Sequence, residues 1–388
     1  MRSYRHLVPE LRLFYGPDSL QSLPRELERL NSRRAVIFCG NSLVQEEKAL
    51  SLIQNALGEK HAGTLSLVQS HSPSNAVMKA AQELARLNAD AIIAVGGGSA
   101  IVTARAASIL LAEKRDPKQL CTSRDESGAL HSPKLLSPKL PQLIIPTTPT
   151  TATLKAGSAV LDPESGQRLA LFDPKTRAKA VFIHPDVIST APDTLVVSAS
   201  LNTLAMALEG LMSKSGDPFS DALLMNSVRV LILNLPKVSE SDAISVRGEL
   251  MMASLLCAHA TDYTGAGIAI PLGHAVSAKF HVDNGLTNAA ILPHVVRFNA
   301  EQAYAGLEKT CSALGHIATR EIAVTTVIQE LEALFETLGI PKRLRDFGVP
   351  RASLTDLAEI SMDDWFIRDN PRQIHNASDL LTVLECAW

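Results

Sequence analysis

Residues 89–107, ADAIIAVGGGSAIVTARAA, decide how the rest of the chain is read. A continuous apolar run ends in three glycines and a serine, and an alanine-rich segment of helical composition follows. An unbroken apolar run predicts a strand covered on both faces, as in a parallel sheet. The glycines end that strand and open a helix. Backbone N–H groups at the helix N-terminus then face outward, where a phosphate or pyrophosphate can approach closely. The spacing is not GxGxxG, and a plain tight turn is the alternative reading.

Outward from this stretch the same alternation repeats. RAVIFCG (34–40), residues 64–69 and LPQLIIPTT (140–148) read as further strands, and 45–57, 75–88 and 100–111 as helices. Strand–helix alternation of this kind predicts a doubly wound parallel sheet. PTTPTTAT (146–153) puts hydroxyls beyond the end of the fourth strand, the edge where open α/β sheets bind ligands. Gly96, Gly97, Gly98, Ser99, Thr147, Thr148 and Thr151 are therefore candidate contacts to ribose or phosphate, with a capped turn as the plainer reading of the threonines. Gly40 and Asn41 end the first strand, where dinucleotide folds carry an acid for the ribose 2′-hydroxyl. No acid stands there, and Arg33 and Arg34 are near in sequence, a combination that leans towards NADP over NAD. The polar, proline-rich stretch between Glu113 and Pro141 reads as a surface loop, with an active-site rim as the alternative.

From Pro192 onward strand signals are scarce. Residues 195–214, 217–235, 241–262, 301–318, 322–338 and 353–361 have helical periodicity, separated by turn signals such as SKSGDP and LGIPKR. Two domains are expected, an α/β unit over 1–190 and an all-helical unit over 191–388.

Composition narrows the function. The chain has 388 residues, 46 % hydrophobic and 20 % charged, with a net charge of −3, an ordinary globular balance. No basic excess and only 4 % aromatic residues argue against nucleic acid as a partner. The five cysteines are dispersed, without CxxC, which suits reduced thiols and a cytoplasmic location. Cys121 has no activating neighbour in sequence. No secretory leader or membrane span is expected, and GxSxG, HExxH and Walker A are absent, so hydrolase and kinase readings have no foothold. The stretch 273–299, GHAVSAKFHVDNGLTNAAILPHVVRFN, holds His274, His281 and His294. His274 and His281 share a face if one helix continues through both; His294 reads as a core or cap residue.

Six blocks occur in a recognisable order: FYGPDSLQSLP, IIAVGGGSAIVTARAA, LIIPTTPTTAT, APDTLVVSASLNTLAMALEG, GLTNAAILPHVVRFN and DNPRQI. Together they resemble the iron-containing alcohol dehydrogenase superfamily, which includes the maleylacetate reductases and is related to dehydroquinate synthase. The resemblance covers nearly the whole chain. It implies an α/β nucleotide-binding domain and a helical domain, with NAD(P) and a small-molecule substrate in the cleft between them, and a homodimer is common among relatives.

The departures from that pattern matter most. Metal-dependent members hold iron or zinc with one Asp and three His, and the resemblance aligns those positions with Asn202, Met206, Ile270 and Asn284. Two amides, a thioether and an alkyl chain cannot supply a divalent site, so no metal is expected. Val102 and Arg105 stand where the family has Asp and Lys, and Arg168 stands where a Lys approaches the phosphates. Maleylacetate reductases also carry Asn at the position of Asn202, a partial likeness. His274 matches a family His near the nicotinamide and is the first candidate for proton donor, with His281 second. The expected activity is a metal-independent NAD(P)-dependent dehydrogenase or reductase. A lyase or isomerase on the same scaffold and a non-catalytic homologue are the alternatives.

Overall fold

A computed structural model describes residues 3–124, 130–317 and 319–388. The chain divides into two compact units. One is Pro9–Pro192, and the other joins the first eight residues to Asp193–Trp388.

The first unit is built on strands β1 (Arg12–Tyr15), β2 (Ala35–Phe38), β3 (His61–Leu65), β4 (Ala91–Gly96), β5 (Ser123–Arg124), β6 (Leu130–His131), β7 (Gln142–Pro146), β8 (Gly157–Leu161), β9 (Arg168–Phe172) and β10 (Ala180–Ile183). Six of them form one sheet in the order β1-β10-β7-β4-β2-β3, and every pairing in it is parallel. β2, β4, β7 and β10 are buried along their whole apolar runs, apart from the partly covered Gly96 at the end of β4. Helices α1 (Leu23–Arg29), α2 (Asn41–Gln45), α3 (Glu47–Leu57), α4 (Ser74–Arg86), α5 (Gly98–Glu113), α6 (Pro117–Leu120) and α7 (Pro185–Ile188) complete the unit. Leu23, Leu27, Ile53, Ile37, Ile93, Ile145 and Phe182 make one continuous core beneath the sheet.

Topology fixes where a ligand can lie. From β2 the chain crosses to β3 on one side, and from β4 it crosses to β7 on the other. β2 and β4 are neighbours, so the crevice beyond their carboxyl ends is a topological switch point. Gly40 and Asn41 end one strand there, and the triple glycine ends the other.

Three sequence readings change. The second strand begins at His61 and stops at Leu65, because the next residues turn into the loop before α4. The Glu113–Pro141 stretch is not merely surface loop. The side chain of Lys139 within it is fully buried, with Nζ 2.6 Å from Glu113 and 3.1 Å from Asp173. The first residues, assigned by sequence to the α/β domain, pack in the helical unit. His6 Nδ1–H donates to Asp217 (3.2 Å), its Nε2 meets His259 (3.0 Å), and its ring stacks on Tyr263.

The helical unit comprises α8 (Asp193–Met212), α9 (Pro218–Asn234), α10 (Ala243–Thr264), α11 (Ala269–Phe280), α12 (Asn284–Ala313), α13 (Arg320–Thr337), α14 (Leu354–Ser361) and α15 (Ala377–Ala387). α8 is long and apolar enough by composition to cross a membrane, yet most of it is buried inside this unit, as a core helix is. α12 lies along α8 in backbone contact. A Cβ on Gly285 would overlap the Ser198 carbonyl, and one on Gly306 would overlap Leu211.

The contact at Gly285 sets a clear expectation. Gly285→Ala should lower the denaturation midpoint by the equivalent of about 2 kcal/mol or more, since neither backbone can yield. Gly40→Ala, where a Cβ meets only Ser42 Oγ at 3.8 Å, should be nearly neutral in the same titration.

Candidate functional site

Candidate residues lie in both units. In the α/β unit, Gly96 sits at φ +139°, a backbone region that favours glycine, and turns the chain out of β4. Gly97 is the N-cap of α5 and makes no side-chain cap, so the first N–H groups of the helix keep their outward direction. The threonine loop lies directly against it. Gly96 pairs in register with Pro146, and Thr147 N–H donates to the Gly96 carbonyl at 3.1 Å. A Cβ on Gly97 would lie 2.9 Å from Thr148 Oγ1, and one on Gly98 would lie 3.3 Å from Thr150 Oγ1. Gly96, Gly97, Gly98, Thr147, Thr148 and Thr150 are thus gathered into one cradle at the head of α5, which Ser99 continues, while Thr151 opens the 3-10 turn Thr151–Thr153 that follows.

Arg105 holds this cradle in place, a role its sequence position did not reveal. Its fully buried guanidinium donates to the carbonyls of Ala152 and Gly157, both at 2.7 Å, and so ties the threonine loop and the start of β8 to α5. Arg168 stands at the start of β9 in register with Leu161. Leu161 N–H bonds the carbonyls of His71 and Ser72, and the Ser72 hydroxyl donates to the Ser99 carbonyl at 3.2 Å. Arg168 is exposed on that hairpin.

The arginines used to favour NADP lie elsewhere. Arg33 and Arg34 precede β2, at the end opposite Gly40, about 20 Å away along an extended strand. The Arg34 side chain is spent on the Leu87 carbonyl (2.8 and 3.0 Å), and the backbone N–H groups of both bond Asp90. Gly40 is the N-cap of α2, and Asn41 is its exposed first residue. Only the missing acid at this position still separates the two cofactors. Cys121 is bridged in extended backbone to Leu171, and burial raises its thiol, which leaves it a poor nucleophile.

In the helical unit, Asn202, Met206 and Glu209 recur at helical spacing on one face of α8. Asn288, fully buried on α12, donates from Nδ2 to Asn202 Oδ1 at 2.9 Å. Asn284 lies one turn before it, and the Oδ1 atoms of Asn284 and Asn288 are buried without a donor among the described residues. Met206 and Ile270 are buried. Among the described residues no group of three His, Cys, Asp or Glu side chains is arranged to hold a metal ion. Neutral amides, a thioether and an alkyl group do not fit divalent iron or zinc.

Glu209 is fully buried and was not singled out by sequence. Its Oε1 accepts the Ala269 N–H at 2.6 Å and so holds the first turn of α11, while Oε2 makes no well-formed hydrogen bond among the described residues. Burial pushes its carboxyl up to about 7 against the opposing pull of the backbone N–H groups of Ala269, Gly267 and Ile270.

His274, on α11, is largely buried, and its Nδ1 lies 3.1 Å from Asp364 Oδ2. The face shared with His281 does not form. α11 ends at Phe280, and His281 is its left-handed C-cap at φ +56°, exposed. Burial and the Arg343 and Arg297 charges push His294 down to about 4, which leaves it neutral.

Two family descriptions match the chain in succession. Residues 9–185 match iron-containing alcohol dehydrogenase, and residues 196–388 match the C-terminal part of the same family. The chain belongs to this family. A NADPH-dependent butanol dehydrogenase of Clostridium saccharobutylicum is 27 % identical over 97 % of this chain and 96 % of its own. A maleylacetate reductase of Sphingobium indicum is 26 % identical over 94 % of this chain and 91 % of its own. The crystal structure of a 1,3-propanediol oxidoreductase superposes with a TM-score of 0.90 at 22 % identity, covering all of both chains. Relatives in this family are dehydrogenases and reductases, which supports an oxidoreductase assignment at that level, and the α/β-plus-helical architecture is the family's own.

The folded Glu209 acid titrates near 7 and an unfolded one near 4.5, so between these values the folded chain binds the extra proton. The resulting stability is complete below about pH 4.5 and is lost as pH rises through 7. The loss amounts to roughly 3 kcal/mol. Urea unfolding of wild type from pH 5 to 8 should show that decline, and Glu209→Gln should flatten it.

Proposed function

We propose that this protein is an NAD(P)-dependent oxidoreductase acting on a small carbonyl or hydroxy compound, and that it works without bound iron or zinc. The observation that carries the cofactor half is the glycine–threonine cradle at the head of α5, too tight at Gly97 for any side chain. Open backbone N–H groups and the helix dipole there suit the pyrophosphate of a dinucleotide. NAD(P)H, when bound, supplies the hydride. Asn41 in place of an acid keeps NADPH the first cofactor to try, and the likeness to an NADPH-dependent relative agrees with it.

The metal-free half rests on the donor set at Asn202, Met206, Ile270 and Asn284. With no divalent ion to polarise a carbonyl, a hydrogen-bond donor must stabilise the oxygen as hydride arrives. His274 is assigned that role. As imidazolium it donates from Nε2 to the oxygen and delivers the proton that completes the alcohol. His281, exposed at the helix end, has no such support. The candidate cofactor contacts remain Gly40, Asn41, Gly96–Ser99, Thr147, Thr148, Thr151 and Arg168.

Fluorescence titration with NADPH and NADH, followed by a panel of small aldehydes and ketones, tests the reading. Saturable binding and carbonyl-dependent nicotinamide oxidation are expected. Gly97→Ala should weaken binding by about tenfold or more, a loss of about 1.4 kcal/mol, while still unfolding cooperatively. Failure to bind either nucleotide would refute the proposal. Turnover with no change in nicotinamide absorbance would point to a lyase or isomerase, and binding with no turnover to a non-catalytic homologue.

A further inference from the structure

We propose that Asp364 is the positioning residue for His274: it fixes which ring nitrogen carries hydrogen and leaves Nε2 as the reacting atom. This deepens the proposed function and rests on His274 being the proton donor there. The two residues are 90 positions apart, so nothing local in the sequence joins them.

The geometry is that of an orienting carboxylate. Asp364 Oδ2 lies 3.1 Å from His274 Nδ1, with the two side chains only 11 % and 15 % exposed. The other oxygen, Oδ1, accepts the Phe366 N–H at 3.0 Å and caps the 3-10 turn Trp365–Asp369. Held at both oxygens, the carboxylate has little freedom to turn away. Its backbone N–H bonds Ser361 at 3.1 Å, and the buried Ser361 hydroxyl lies between the carbonyls of Leu357 (2.7 Å) and Pro271 (3.5 Å). That contact ties the end of α14 to the first turn of α11, and the Lys279–Asp356 pair links the same two helices near the last turn of α11.

The chemistry follows from the inventory of donors. An ionised carboxylate only accepts, so Nδ1 carries the hydrogen. Neutral His274 then carries its lone pair on Nε2, and the imidazolium carries Nε2–H beside a fixed counter-charge. Both states of a proton donor are served by one contact. Among other charges on the packed helices, Lys279 is occupied by Asp356, and Glu209 is half protonated near neutrality.

NMR of the full-length protein with ¹⁵N-labelled histidine, assigned with His274→Ala, reads the ring directly. Wild type should show neutral His274 as the Nδ1–H tautomer. Asp364→Ala should release it to a mixture dominated by Nε2–H. Asp364→Asn keeps an acceptor and the cap but not the charge, so it should retain the tautomer and lower the protonation midpoint by about one unit or more. Nε2–H in wild type, or an unchanged ring in both variants, would overturn the proposal. With any carbonyl compound turned over, Asp364→Ala should lower kcat with KM unchanged, and the double variant with His274→Ala should be no slower than His274→Ala alone. Independent, additive losses would also overturn it. If no compound is turned over, the proposed reaction fails, while the tautomer still decides the role of Asp364.

Discussion

Ser198 and Gly285 touch backbone to backbone, and the candidate site of the helical unit depends on that contact. Any side chain at 285 would push α12 off α8. Because α12 begins so close, Asn284 and Asn288 stand at its head against α8, and Asn288 bonds Asn202. The same residue fills the space that Gly273 leaves open on α11, so a Cβ there would overlap its amide. Three helices are thus locked around a set of neutral amides. Glu209 then holds the start of α11, and Asp364 holds the histidine one turn further on. Asn202, Met206, Ile270 and Asn284 offer a divalent ion no anionic or imidazole anchor.

The α/β unit follows the same logic with different atoms. Parallel strands β4 and β7 end side by side, and their loops can meet only because Gly97 leaves room for Thr148. Arg105 fixes the threonine loop from below through two carbonyls. A charged side chain is thereby used as a brace, and its desolvation is offset by two hydrogen bonds to buried backbone.

Much of this was legible in the sequence. β2, β4 and β7 announced themselves as continuous apolar runs, because parallel strands are covered on both faces. The helical periodicity of α8, α9, α10, α13 and α14 was equally plain. β1 was harder to see, with only four residues at the sheet edge and a half-covered pattern. The β8–β9 hairpin lies outside the main sheet, so no alternation rule pointed to it. A spacing of seven positions from His274 to His281 suggested a shared face, and a left-handed cap cancelled it. Arg33 and Arg34 were close to Gly40 in sequence yet sit at the other end of the strand. Partners from distant elements, such as Asp364 on His274 and Glu209 on the α11 N-terminus, leave no local signal at all. What is legible is periodic or contiguous; what is not depends on tertiary meetings.

Metal stoichiometry tests most directly the proposal that this scaffold works without iron or zinc. Protein produced with iron and zinc in excess should carry far less than one ion of either per chain by elemental analysis, and its turnover should survive EDTA. One iron or zinc per chain, with activity that disappears on chelation and returns on adding the ion back, would contradict the account.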